Sequence, residues 1–352
     1  ATAGSSAGGS SAAGSSAGGA SGGAGGAMSV GGSGGTAPVG VDLTPAPSAG
    51  CAMAHDPTKG VNGQYYAKVN ITINGKATEY VVTIPPTYKN DSTKPYPLAV
   101  AFAPRTRTEL DCMNGDCQGI ASEGHATAVI AFMKQIGLGW ELKDERDNNL
   151  ELFKQALAQL EATYCIDTHR IYTVGLSSGA DFSMYVGCWM GDQLRSVASV
   201  SGCMPNTVAP VAGSSPQAAP ASGMENPANI CLKTLDMSGC KGHPSVLMIH
   251  GNKDGVVTGA NPMGRWIPFA DAKLTRDAWL GRNGCGTTTT TMVNNAPAGQ
   301  FDGPITCNAY AGCGDSPVTW CEHGVPGFDG NSTHGWPGSA VKVVWNFWKS
   351  LK

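Results

Sequence analysis

The residues best suited to chemistry lie in Gly175-Leu176-Ser177-Ser178-Gly179, a G-x-S-x-G pattern. A serine hydroxyl is a poor nucleophile unless it is held clear of its own backbone beside a general base. The flanking sequence supplies that geometry. Ile171-Tyr172-Thr173-Val174 reads as a buried strand and Ala180 to Gly187 can be helical, so Ser177 falls on a tight strand-to-helix turn. The two glycines let neighbouring backbone pass without a Cβ clash. The helix start aims its first amides, Ser178's included, at the place where an oxyanion would form. A plain Gly/Ser turn is the bland alternative, and the strand and helix on either side weigh against it.

Such a serine needs a histidine as base and a carboxylate to orient it, following in that fold in the order Ser, acid, His. Asp254 follows the apolar strand Ser245 to His250 by four residues, where a doubly wound sheet binds its ligands. Two late histidines qualify. His334 lies in the Gly/Pro-rich loop Ser332 to Gly338 ahead of the last helix, and His323 directly follows the final strand. His334 is preferred, because that loop can fold back over the elbow. An Asx turn would explain Asp254 alone and a surface position His334 alone. Neither explains three residues in the right order on the right elements. Asp181 complements the helix dipole in this reading, and His250 packs under the acid loop.

The elements that must hold these residues are legible. Tyr65 to Ile73 and Thr78 to Ile84 alternate around Asn74-Gly75, a hairpin signal. Tyr96 to Phe102, Ala126 to Phe132 and Ser196 to Val200 read as strands, and Pro317 to Cys321 as the last. Asn148 to Tyr164, Ala270 to Leu280 and Ser339 to Leu351 carry helical spacing. Strands alternating with helices predict an α/β fold with a mostly parallel, doubly wound sheet and an antiparallel hairpin at its start. Gly202 to Lys241, rich in Pro, Ala, Ser and Gly, reads as an insertion over the catalytic face. Ala1 to about Gly50 is Gly/Ser/Ala-rich with a single charge, Asp42, and is expected to be a flexible tether. The domain proper would span 51–352. The tether suggests attachment to a cell surface or another module, or a passive spacer.

Charged residues make up 14% and the net charge is −3, with no Lys/Arg cluster to suggest nucleic acid. No apolar run reaches the roughly 18 residues of a membrane span. The chain starts at Ala1, from which a leader is expected to be removed or absent. Twelve cysteines argue for disulfides and an oxidising compartment. Cys112 with Cys117 and Cys231 with Cys240 could close short loops, and none is spaced C-x-x-C. The chain reads as secreted, with no metal or other cofactor implied.

With these residues in place, the sequence resembles the secreted esterases that include feruloyl esterases and polyhydroxybutyrate depolymerase-like enzymes. The resemblance runs from about Gly63 to the C-terminus. It rests on YCIDTHRIYTVGLSSG at 164–179, IHGNKD at 249–254, WLGRNGCG at 279–286 and HGWPG at 334–338. It implies an α/β-hydrolase fold with a triad of Ser177, Asp254 and His334, and a disulfide from Cys285 to a cysteine within 307–321. Such enzymes usually carry His-Gly after the strand placed here at 96–102, feeding the oxyanion hole. This chain has Ala103-Pro104-Arg105-Thr106 instead. Pro104 has no N–H, so the second donor is Arg105 or Thr106, beside the amide of Ser178.

The reading is a secreted carboxylic ester hydrolase working through an acyl-enzyme on feruloyl or related aryl esters of plant polysaccharide. Trp140 and Trp336 are the candidates to stack on an aromatic acyl group or sugar, with ordinary packing as their alternative. A short-chain polyhydroxyalkanoate or acetyl ester is the alternative substrate. A tethered binding protein on a hydrolase scaffold is the alternative of another class. A peptidase on the same fold has no specificity pocket to support it.

Overall fold

Asn74 and Gly75 adopt positive φ, 49° and 79°, as the turn of a two-residue hairpin requires. They join β1 (Ala67–Ile73) to β2 (Lys76–Thr83), paired antiparallel with Ile73 opposite Lys76. The structure, a computed structural model, describes residues 42, 44–54, 66–91, 93–116, 119–140, 143–204, 231–232, 235–257, 269–270, 272–296, 301–327 and 332–351. Most of the tether expected over residues 1–50 and most of the insertion expected over 202–241 lie outside them.

The next strands are β3 (Tyr96–Phe102), β4 (Val129–Met133), β5 (Ile166–Leu176) and β6 (Ser196–Val200). After the short β7 (Cys231–Leu232) come β8 (Ser245–Gly251) and the short β9 (Phe269–Ala270). The chain then forms β10 (Thr289–Asn294), β11 (Ile305–Tyr310) and β12 (Val318–His323). Ten of them build one sheet in the order β1-β2-β4-β3-β5-β6-β8-β12-β11-β10, while β7 and β9 pair apart from it. The run from β4 to β12 is parallel throughout. Its central strands are nearly continuous apolar runs, buried on both faces, because helices cover both sides.

The helices are α1 (Glu109–Asp111, one turn), α2 (Ile120–Gly124), α3 (Lys143–Thr163), α4 (Ser178–Trp189), α5 (Ala272–Arg282) and α6 (Ala340–Ser350). One core face gathers Val100 and Phe102 with Phe153 of α3, Phe182 of α4 and Trp279 of α5. The other gathers Ala99 and Ala101 with Ile120 of α2 and Val344, Trp345 and Trp348 of α6. The sheet is thus the middle layer of three.

The hairpin at the start is where the sequence puts it. A second one, β10–β11, stands at the opposite edge, antiparallel to β12. The chain also joins the domain before residue 51. Ala46 N–H donates to Asp167 Oδ1 at 3.0 Å, Thr168 N–H to the Ala46 carbonyl at 2.9 Å and Ser48 N–H to the Ile166 carbonyl at 2.8 Å. The boundary expected at Gly50 therefore moves toward the N-terminus.

Among the described residues four disulfides are present: Cys51–Cys165, Cys188–Cys240, Cys285–Cys313 and Cys307–Cys321. Cys285 pairs inside the window that the family resemblance implies. Cys240 does not pair with Cys231. It reaches instead to Cys188 in the last turn of α4, tying that helix to the approach of β8. Cys112 is also disulfide-bonded, and Cys117 lies outside the described residues.

Candidate active site

The parallel register brings the ends of β3, β5, β6, β8 and β12 to one edge: Phe102 faces Gly175, Leu176 faces Val200, Val200 faces Ile249 and His323 faces Gly251. Ser177 is the single residue between β5 and α4. Its φ of 54° and ψ of −118° lie where L-residues are strained. The turn is held by Ser177 N–H donating to the Val200 carbonyl at 3.0 Å, and by Asp181 N–H donating to the Ser177 carbonyl at 2.9 Å. The two glycines are there for room. A Cβ on Gly175 would stand 2.2 Å from the Gly179 carbonyl carbon, and one on Gly179 would stand 2.2 Å from the Phe102 carbonyl oxygen. Helix α4 therefore lies directly against the end of β3, beside the 103–106 loop.

Asp254 and His334, 80 residues apart in the chain, meet. His334 Nδ1 lies 2.9 Å from Asp254 Oδ2. The other carboxylate oxygen accepts the N–H groups of Val256 and Val257, both at 2.9 Å. Asp254 is 3% exposed. That burial alone would raise its pKa. The hydrogen bond and charge of His334, the proximity of His250 and the Val257 amide outweigh it and hold the carboxyl down at about 2. An ionised Asp254 can only accept, so the proton of that bond sits on His334 Nδ1 and Nε2 is left as the basic nitrogen.

The loop carrying His334 is fixed on both flanks. Lys253 N–H donates to Thr333 Oγ1 at 2.7 Å and Thr333 N–H to the Lys253 carbonyl at 3.2 Å, which ties it to the acid's loop. Ser201, just past β6, bonds the Gly335 peptide from the other side. His323 is elsewhere: it is 3% exposed, and its Nδ1 accepts the Val325 N–H at 3.2 Å. His250 packs beneath the acid, its ring stacked on Trp320 at 5.8 Å and its Nε2 3.5 Å from Asp254 Oδ2. Burial holds the His250 pKa down, so it stays neutral beside the carboxylate.

At the oxyanion side, Ser178 opens α4. Residues 104–107 form a turn in which Arg107 N–H donates to the Pro104 carbonyl at 3.2 Å, with Thr106 at φ 64°. The Thr106 N–H donates to the Leu138 carbonyl at 3.3 Å. Of the two residues expected to supply a second donor, Thr106 has its amide engaged by that carbonyl.

Two expectations are corrected. Trp140 is fully buried, stacked on Phe182 with ring centroids 4.9 Å apart. Its Nε1–H donates to the Ala103 carbonyl at 2.7 Å and its backbone N–H to Ser178 Oγ at 3.1 Å. It braces the 103–106 loop against the elbow and has no face to offer a substrate. Trp336, 3% exposed, lies in the core with Ile305 and Ala340. Asp181, read as a dipole partner, is fully buried and accepts the Cys203 N–H at 2.7 Å. Among the described residues no group of three or more His, Cys, Asp or Glu could hold a metal ion, and no helix is long and apolar enough to cross a membrane.

No family model matches the chain. It is similar to Feruloyl esterase D of Neurospora crassa, with 25% identity over 320 residues, covering 86% of this chain and 90% of that protein. It also superposes on the acetyl xylan esterase from Aspergillus awamori with a TM-score of 0.52 and 15% identity, over 80% of this chain and 99% of that one. That superposition shows the fold. By fold the chain is an α/β hydrolase, and in sequence it is similar to a feruloyl esterase.

Proposed function

We propose that the chain is a serine carboxylesterase in which Ser177 is the nucleophile, His334 the general base and Asp254 the residue that orients it. The observation that carries the reading is the 2.9 Å bond from His334 to a buried, ionised Asp254, at the sheet edge where Ser177 sits strained on its elbow. Ser177 Oγ attacks the ester carbonyl carbon while its proton passes to His334 Nε2. Negative charge gathers on the carbonyl oxygen, where the amide of Ser178 and a second donor from the 103–106 loop receive it. Collapse breaks the C–O bond to the alcohol, which leaves with the proton from Nε2. Water then attacks the acyl-enzyme by the same route, releasing the acid and restoring Ser177.

Feruloyl or related aryl esters on plant polysaccharide are the substrates this reading favours, on the likeness to Feruloyl esterase D along most of both chains. The disulfides suit an oxidising compartment, and we take the enzyme to act outside the cell. The test is hydrolysis of methyl ferulate and p-nitrophenyl acetate by wild type and Ser177→Ala. Both esters should be cleaved, and the variant should lose at least about 10³-fold in kcat. Cleavage of the acetate alone would move the substrate to acetyl or short polyester groups. Cleavage of neither by the folded, oxidised protein would leave a non-catalytic binding scaffold.

A further inference from the structure

Ser201 is the first residue beyond β6 and carries a φ of 53°. A residue with a side chain is strained there, whereas glycine adopts this conformation freely. Serine must therefore supply something glycine cannot. The side chain is fully buried. Its hydroxyl donates to the Gly335 carbonyl at 2.9 Å and accepts the Gly335 N–H at 3.2 Å. One hydroxyl so captures both polar groups of the residue next to His334.

The backbone of Ser201 cannot yield. Its N–H donates to the Ile249 carbonyl at 2.8 Å, continuing the ladder one step past the strand. Next to it, a Cβ on Gly202 would stand 2.4 Å from the Ala180 Cβ, and the Cys203 N–H is held by Asp181 in the first turn of α4. The carbonyl just before Ser201, that of Val200, accepts the Ser177 N–H. The connection from nucleophile to base thus runs Ser177, Val200, Ser201, Gly335, His334, with only two hydrogen-bonded steps. Thr333 ties the base to the acid's loop, and Ser201 ties it to the nucleophile's strand.

We infer that Ser201 is a positioning residue whose hydroxyl sets His334 against Ser177, an inference that rests on the esterase reading above. The backbone strain is retained because the hydroxyl is needed at that point. A base displaced by about 1 Å costs on the order of 10²-fold in rate, so losing this clamp should lower turnover without removing substrate binding.

The experiment compares wild type, Ser201→Gly, Ser201→Ala and Ser177→Ala for p-nitrophenyl acetate hydrolysis, rate of labelling by a fluorophosphonate, and thermal unfolding. Ser201→Gly relieves the strain and so keeps the fold. Its kcat should fall roughly 10–100-fold with KM within about twofold, and its labelling rate should fall by the same factor. Ser201→Ala should match it wherever it folds. A folded Ser201→Gly with wild-type kcat and labelling rate overturns the inference. So does failure of both variants to fold, since the hydroxyl would then serve the fold rather than the base. Unchanged hydrolysis in Ser177→Ala would instead strike the esterase reading, which keeps the two failures apart.

Discussion

At Trp140 the sequence points one way and the structure another. An aromatic residue in a loop on the catalytic side reads as a stacking surface, but its ring lies flat on Phe182 and its Nε1–H is committed to the Ala103 carbonyl. Replacing it with phenylalanine keeps most of the packing and leaves that carbonyl unpaired, at a cost of about 1–3 kcal/mol. Trp140→Phe should therefore lower the urea midpoint and reduce kcat modestly through the loosened 103–106 loop. KM for methyl ferulate should stay within about twofold. A large rise in KM with unchanged stability would return Trp140 to the substrate. Ser177, Asp254 and His334 were legible because each residue type is dictated by chemistry and each offset by the strand before it. Whether a tryptophan faces substrate or core depends on packing from α3 and α4, which no local spacing encodes. The Ser201 clamp left no signal either, since a serine after a strand is unremarkable until its φ and its partner are known.

At the scale of elements, apolar pattern and turn chemistry carried most of the sheet. Asn74-Gly75 announced the first hairpin through its need for two positive φ values. The hairpin at the far edge went unread because β10 is Thr-Thr-Thr-Met-Val-Asn, exposed along nearly its whole length, so no face of it is marked as core. The N-terminal boundary was misplaced for a similar reason. Residues 44–50 are held through backbone bonds to β5, which small and proline-rich sequence does not advertise, and through Cys51–Cys165. That disulfide spans 114 residues and lies just before β5, at the edge away from Ser177. Replacing Cys51 and Cys165 together with serine should lower unfolding free energy by roughly 2–5 kcal/mol. The kcat of the folded fraction should be unchanged. Urea titration read by tryptophan fluorescence, beside kcat normalised to folded protein, checks both halves. A parallel loss of kcat would mean that this edge communicates with the catalytic one.

Over the whole molecule, the same burial that builds the site makes it sensitive to acid. His323 is enclosed at the end of β12, and burial, with the proximity of His250, pushes its pKa from 6.5 down to about 4. Between those values the unfolded chain takes up a proton that the folded one refuses, so stability falls as pH falls and levels off below about 4. His250, lowered by burial, adds to the loss with the same sign. Asp254 works in a lower window. Its pKa drops from 3.8 to about 2 on folding, so its contribution is complete above 3.8 and is lost as pH falls toward 2. For His323 alone, refusing that proton when folded corresponds to roughly 3 kcal/mol between pH 7 and pH 4. His323→Asn keeps an acceptor near the Val325 N–H and removes the titration. Urea unfolding at pH 7, 5.5 and 4 should show the wild type losing stability across that range, while the variant starts lower and declines more shallowly. Parallel curves would show that His323 gains its proton without unfolding, and that this end of the sheet is open to water.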